Sequence, residues 1–539
     1  MKVHSLLGAM LLLSAVIVVP PLAAPARAAT LVDGVVRADV RDLGRADARM
    51  PVSFTVGLRY RHEAELERLV EAQTNRNSPL YRQFLSNAQF NDYFAPATGD
   101  YARVVLSLRR AGFAVAISDN RTTVRATGTT GAAERYFTAE IHRVVQAGYG
   151  IRYGNVRTAL IPRQIADVAD VVIGLNNLHA ATPDHFFVPA SRVRPDKLHG
   201  PLLGPNGGYG PFAIAQAYDY PVQHGFDGKG HAVAIAIDYD SSDSDLAAFT
   251  KFFNVKRTGK TFHVPVDGGQ PYDPNGSVES TLDTETVGSL DPGADMYVYN
   301  FGAAFTFQEI SDAYNKAVSD NKVDDVSSSF GLCEDDSPRS FNTLVNKITK
   351  QGAAKGITFN ASTGDFGRGG KCSDGTGQDV PAVLTYFISV GGADPNIDSH
   401  GKLVSENEDS GSGGGPSDIF KIPSYQKGLP GIFSTTKRNI PDVSGPYLPD
   451  AFYINGQWGQ IGGTSWASPA TAAFIAQANQ VDGKRLGFAN PHIYAAFKAN
   501  GYKDFNDVTV GNNGIACTTG YDDCSGIGTL KGFPLAGAL

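Results

Sequence analysis

From about residue 208 the chain alternates short apolar runs with longer segments of helical spacing. "HAVAIAID" and "ADMYVYNF" read as strands, "SDLAAFTKFF" and "TFQEISDAYNKAVSD" as helices, and "VDDVSSSFG", "FNTLVNKITKQGA" and "GITFNAS" continue the pattern. Strands apolar on both faces need cover on both faces, and helices between them supply it. The alternation therefore predicts a doubly wound, mostly parallel α/β sheet over residues 208–539.

That sheet does not account for the whole chain. At 539 residues with 42% hydrophobic content, the protein exceeds one ordinary core and is too apolar to be disordered. A lysine gap marks a second module: between Lys2 and Lys197 arginine supplies every strong base. The module over 29–180 reads as a smaller α+β domain. "HEAELERLVEAQ" and "YARVVLSLRRAG" have helical spacing, and "PVSFTVGL" and "AVAISDN" read as strands. Residues 181–207, rich in Pro and Gly and without periodicity, read as an exposed linker open to proteolysis.

Residues 1–28 carry an early lysine, an apolar run and "ARA" before Ala29, the pattern of a cleaved signal peptide; the alternative is a membrane anchor. Export, to the extracellular space or periplasm, is the expectation. Four cysteines in an exported chain suggest two disulfides, Cys517 with Cys524 as the local pair and Cys333 with Cys372 as the remainder; spacing alone leaves the pairing open. A net charge of -7 over this length provides no basic stripe, which argues against a nucleic-acid partner.

"IGGTSWASP" places Ser465 between a glycine turn and the start of an apolar helix. A nucleophilic serine usually leans on histidine, yet His224, His231, His263, His400 and His492 sit in no motif that serves one. "VESTLDTETVGSLDPGA" offers another base. Glu279 and Asp283 are one helical turn apart, so both carboxylates project from one face, and a carboxylate still accepts a proton in acid where imidazole is already charged. The alternative is a solvated acidic face of Glu279, Asp283 and Glu285. In "GITFNASTGDFGRGG" a buried strand runs into a Gly-flanked turn, placing Asp365 at the sheet's C-terminal edge, where a protonated carboxyl can donate to an oxyanion. A glycosidase would use the carboxylate pair but leave Ser465 and Asp365 without roles.

These motifs, "ESTLD", "STGDFG", "GGTSWASP" and the N-terminal "SPLYRQFLS" with "FAP", resemble the sedolisins, or serine-carboxyl peptidases, and the activation domain of pro-kumamolisin. The resemblance implies a subtilisin-like peptidase domain, with Ser465 as nucleophile, Glu279 as general base then acid, Asp283 orienting it and Asp365 stabilising the oxyanion. It implies a self-processing zymogen acting on proteins or peptides in acid, as a monomer whose prodomain is its own inhibitor. A tripeptidyl-peptidase and a catalytically inactive, peptide-binding relative are the alternatives. "DFNDVTVG" and "TTGYDDCSGIG" resemble the family's calcium site. That implies one ion held by the carboxylates of Asp507 and Asp522 and the carbonyls of Val508, Thr518 and Gly520, a set of oxygen donors suited to a hard cation.

Overall fold

The computed structural model describes residues 31–34, 40–187, 202–372 and 375–539. The expected signal peptide and the 188–201 part of the expected linker lie outside the described residues.

The N-terminal unit is α+β. Its sheet runs in the order Leu31–Val32, Ala169–Ile173, Pro51–Leu58, Thr123–Thr129, Ala114–Ile117. The alternating strand Pro51–Leu58 pairs antiparallel with both neighbours, which buries Phe54 and Val56 against Leu108 and Phe137. Glu63–Thr74 and Thr98–Arg110 are the helices that their spacing predicts.

The C-terminal unit is built on a 10-stranded sheet in the order Thr261–Pro265, Asp295–Asn300, Ala232–Ile237, Asp325–Ser328, Thr358–Ser362, Ile388–Ile397, Val443–Pro446, Thr529–Leu530, Phe505–Asn506, with Leu403–Glu408 beside Ile388–Ile397. The strands from Thr261–Pro265 to Thr529–Leu530 pair in parallel; Leu403–Glu408 and Phe505–Asn506 join antiparallel. One apolar cluster brings helices Phe307–Asp320 and Arg339–Ala354 onto the sheet, and a second gathers Val278–Leu290 and Thr464–Asp482. The expected doubly wound α/β architecture is thus present. Among the described residues no helix is long and apolar enough to cross a membrane. Both expected disulfides form, Cys333–Cys372 and Cys517–Cys524.

The two units share an interface on helix Arg339–Ala354. Val171 and Ile173 join the apolar cluster of Leu344 and Val345, and a Cβ at Gly57 would lie 2.8 Å from Leu344 Cδ1, so the lack of a side chain permits the close approach. Ion pairs ring the contact: Arg125 with Asp267 at 2.8 Å, Lys347 with Asp170 at 2.8 Å, Lys350 with Glu67 at 2.8 Å, and Arg82 with Asp482.

Up to Phe186 the start of the expected linker is buried or half-buried rather than exposed. Thr182–Pro183 pairs with Gly331 and Phe330, and Phe186–Phe187 pairs with Gly462 and Ile461. Backbone pairing with strands distant in sequence holds this segment down, a force that local composition does not register.

Candidate active site

Ser465 is the second residue of helix Thr464–Asp482 and is fully buried in this state. The preceding Gly463 has φ 129°, a conformation open to glycine, and a Cβ there would lie 2.4 Å from both Asp184 O and Asp365 Oδ2. Glycine at this point lets three groups converge on the helix start. Pro469, four residues after Ser465, has no N–H to donate into the helix, so the Ser465 carbonyl is left to accept from Ser329 Oγ at 3.4 Å. The Ser465 hydroxyl donates to Ser329 O at 3.3 Å.

Helix Val278–Leu290 carries Glu279 and Asp283 toward this point. The solvated alternative is excluded, because Glu279, Asp283 and Glu285 are all at most 1% exposed. Asp283 Oδ1 accepts from Ser329 Oγ at 2.7 Å. Burial pushes the Glu279 carboxyl well above its ordinary range, and the neighbouring Ser465 side chain opposes the shift. Asp283 is raised by burial and then by the charge of Glu279. Two buried carboxylates this close do not both ionise readily, so the pair holds a proton and titrates as a unit.

Asp365 follows strand Thr358–Ser362, as its motif suggests. Its Oδ1 accepts from Thr464 N at 2.8 Å and Thr464 Oγ1 at 2.9 Å, while its buried Oδ2 has no hydrogen-bond partner. Burial, then the neighbouring Asp184, raises its carboxyl well above normal. A protonated Oδ2 would have a hydrogen to give.

The structure thus brings together all four residues singled out in sequence, and it adds some that sequence reading missed. Asp184 O accepts the Ser465 N–H at 3.1 Å, and Asp184 N donates to Ser329 O at 3.2 Å. His185 Nδ1 is hydrogen-bonded to Glu279 Oε2. The aromatic pair Phe186–Phe187, flanked by residues taken for linker, was the one available hint of a strand there. The five histidines weighed from sequence stand elsewhere; His231, for example, pairs with Asp324 and His263 with Asp240.

At the C-terminal loop Asp507 and Asp522 are near enough for the charge of Asp522 to raise the Asp507 carboxyl, after burial. Asp522 Oδ1 accepts from the amides of Cys524 and Ser525, at 3.1 and 2.9 Å, and Asp507 Oδ2 from Gly520 N at 3.1 Å. Asp507 Oδ1 is buried without a partner, which fits an oxygen-seeking cation. Val508 O accepts from Ser525 Oγ at 3.3 Å, and Thr518 and Gly520 present N–H groups to the carboxylates, so the fit rests on the two aspartates.

A serine at the head of a buried helix, a carboxyl pair beside it and a lone carboxyl facing a peptide carbonyl define a peptidase on a subtilisin-like sheet. Residues 38–178 match the family described as "Pro-kumamolisin, activation domain", and residues 275–497 match the "Subtilase family". Kumamolisin of Bacillus sp. (strain MN-32) is 32% identical across 92% of this chain and 93% of its own length. Tripeptidyl-peptidase 1 of Canis lupus familiaris is 27% identical across 90% and 91%. Among solved structures, Pseudomonas sedolisin complexed with two molecules of pseudo-iodotyrostatin aligns with a TM-score of 0.54 at 27% identity, covering 61% of this chain and 97% of that one. The chain belongs to the sedolisin family of serine-carboxyl peptidases and carries a pro-kumamolisin-type activation domain.

Proposed function

We propose that this chain is the precursor of an exported, acid-acting endopeptidase that cuts itself free of its prodomain, residues 29–180. One observation carries the reading: residues 182–187 lie extended across Ser465, with the Asp184 carbonyl on the serine's own amide at 3.1 Å. Strand addition of this kind is how a cleft holds an extended peptide. Ser465 Oγ attacks the Asp184 carbonyl carbon and passes its proton to Glu279, which Asp283 steadies. The oxyanion takes hydrogen bonds from the Ser465 N–H and from protonated Asp365. Collapse expels the His185 amine, which takes the proton back from Glu279, and water repeats the sequence on the acyl-enzyme.

The pH dependence follows from the raised carboxyls. Asp365 donates only while protonated, a condition met in acid and lost as pH rises through its elevated pKa. The Glu279–Asp283 pair must carry one negative charge, so activity also falls once both are protonated. In the precursor, the hydrogen bond with His185 occupies Glu279, and burial lowers the pKa of that imidazole.

Acid also acts on the interface. Protonating the carboxylate partners of Arg125, Lys347 and Lys350 would remove attractions between the prodomain and the peptidase domain. Asp312, which accepts from Thr55 Oγ1 at 2.9 Å, works the other way. Burial raises its pKa in the docked state, so its proton favours docking below that pKa and docking weakens as pH rises through it. Release in acid therefore depends on the rim pairs outweighing Asp312.

The chain continues upstream of Thr182 through the buried Ala181, which favours an endopeptidase over removal of tripeptides from a free amino end. The two disulfides support an oxidising, exported setting. Precursor moved from neutral buffer to about pH 4, near the reference carboxyl pKa, is expected to shorten, and terminal sequencing of the first large product should begin at His185. A first cut elsewhere would overturn the seating argument.

Calcium is the proposed structural ion, held by Asp507 and Asp522; when bound it supplies charge that holds the C-terminal loop together. Chelation should lower the thermal midpoint measurably while Asp507→Asn, already lacking the site, is unaffected by chelator. Equal chelator sensitivity of both proteins would remove the site.

A further inference from the structure

The residue whose carbonyl meets Ser465 also has a side chain held from both sides. Asp184 Oδ1 accepts from Lys371 Nζ at 2.5 Å and Oδ2 from Ser362 Oγ at 2.8 Å, and the residue is 1% exposed. The other ammonium hydrogens of Lys371 go to Thr182 O at 2.7 Å and Gly331 O at 2.9 Å, one on the seated segment and one on the strand paired with it. Lys371 is itself anchored. Its amide donates to Asp379 Oδ1 at 2.8 Å, and the next residue, Cys372, is bonded to Cys333 on strand Phe330–Cys333. The walls are glycines: a Cβ at Gly364 would lie 2.6 Å from Asp379 Oδ2, and one at Gly331 2.9 Å from the same atom.

We infer that Lys371 makes the pocket for the residue preceding the cut bond a carboxylate pocket, so that this peptidase selects Asp, and after it Glu, at that position. The inference rests on the reading of Ser465 given above. A charge-assisted hydrogen bond to a buried ammonium is strong, and a neutral side chain there leaves that ammonium without its partner. Asp379 does not take the place of that partner: its Oδ1 is engaged by the Lys371 amide at 2.8 Å, while the ammonium goes to Asp184, Thr182 O and Gly331 O. Burial opposes the charge on Lys371, but the surrounding carboxyls, Asp184 foremost and then Asp379 and Asp365, outweigh it and hold the ammonium above its ordinary pKa. A basic residue meets like charge and is rejected.

The test uses self-processed enzyme and quenched peptides spanning residues 181–188, with position 184 as Asp, Glu, Asn, Leu or Lys. Assays run at about pH 5, where a free Asp is mostly ionised. The wild type is expected to show kcat/KM for Asp about tenfold or more above Asn, with Lys lowest. Lys371→Met should bring the Asp-to-Asn ratio to near unity, and Lys371→Glu should make the Lys peptide the better substrate. In the full chain, Asp184→Asn should slow the first cut by about the same factor as in the peptides. Equal wild-type rates on Asp, Asn and Leu, or an unslowed Asp184→Asn precursor, would overturn the inference even if the Lys371 variants fail to fold. Hydrolysis that survives in Ser465→Ala would instead sink the catalytic reading, whatever the order of the peptides.

Discussion

Ser465→Ala should lose peptide hydrolysis by a factor of about a thousand or more, the scale seen when a nucleophile is removed from a serine peptidase. The same precursor should stay full length in acid. The change removes one hydroxyl from a fully buried site and with it a hydrogen bond to Ser329 O at 3.3 Å. Its cost in stability is then about 1 kcal/mol, so loss of function will not be confused with loss of fold. Circular dichroism and thermal melts supply the control. A folded variant with undiminished turnover would refute the mechanism, and one that still shortens at the wild-type rate in pure form would mean that another protease makes the cut.

The largest effect on stability is expected far from Ser465. Arg438 and Asp442 are both fully buried, joined by two hydrogen bonds of 2.8 and 2.6 Å. Tyr494 Oη at 2.7 Å and Asn490 Nδ2 at 2.9 Å also donate to Asp442, as does Ser389 N at 2.9 Å. Asp442→Ala strands the guanidinium in the core and should cost about 3–5 kcal/mol, whereas replacing both partners with apolar residues of similar volume should recover much of that. Urea unfolding in a Ser465→Ala background, where self-cleavage cannot interfere, measures both. A loss below about 1 kcal/mol for Asp442→Ala would show that the charge finds another partner.

Much of the architecture is legible because the central strands are unusually plain. Ala232–Ile237 is six residues of Ala, Val and Ile, buried throughout, and only a sheet covered on both faces accepts such a run. Helix Val278–Leu290 is the opposite case. Its polar residues are buried nearly all round, so periodicity suggests a solvated face, and its carboxyl pair is found by spacing and by resemblance instead. Asp184, His185 and Lys371 were not legible, whereas "VSSSFG", residues 326–331, resembles the family's strand that pairs with the substrate backbone. Those three matter through a strand pairing or a close approach between residues far apart in the chain, and no local pattern encodes that. The reading of 181–207 as linker went astray at its start for the same reason: a Pro-rich segment with two aromatics looks exposed until the edge that receives it is known.

The interface on helix Arg339–Ala354 gives cleavage a sequel. The proposed cut after Asp184 would turn a tethered prodomain into a separate molecule, but it would leave the packing of Val171 and Ile173 in place, and outside acid the ion pairs of Arg125, Lys347 and Lys350 as well. Before the cut, the inhibitor faces its cleft at a fixed and high effective concentration, whatever the volume. Afterwards the same contacts form a bimolecular complex, and occupancy depends on how far the two parts are diluted. Where a precursor is made at high local density the severed prodomain would go on rebinding, and the cleft would empty only as the molecules spread apart.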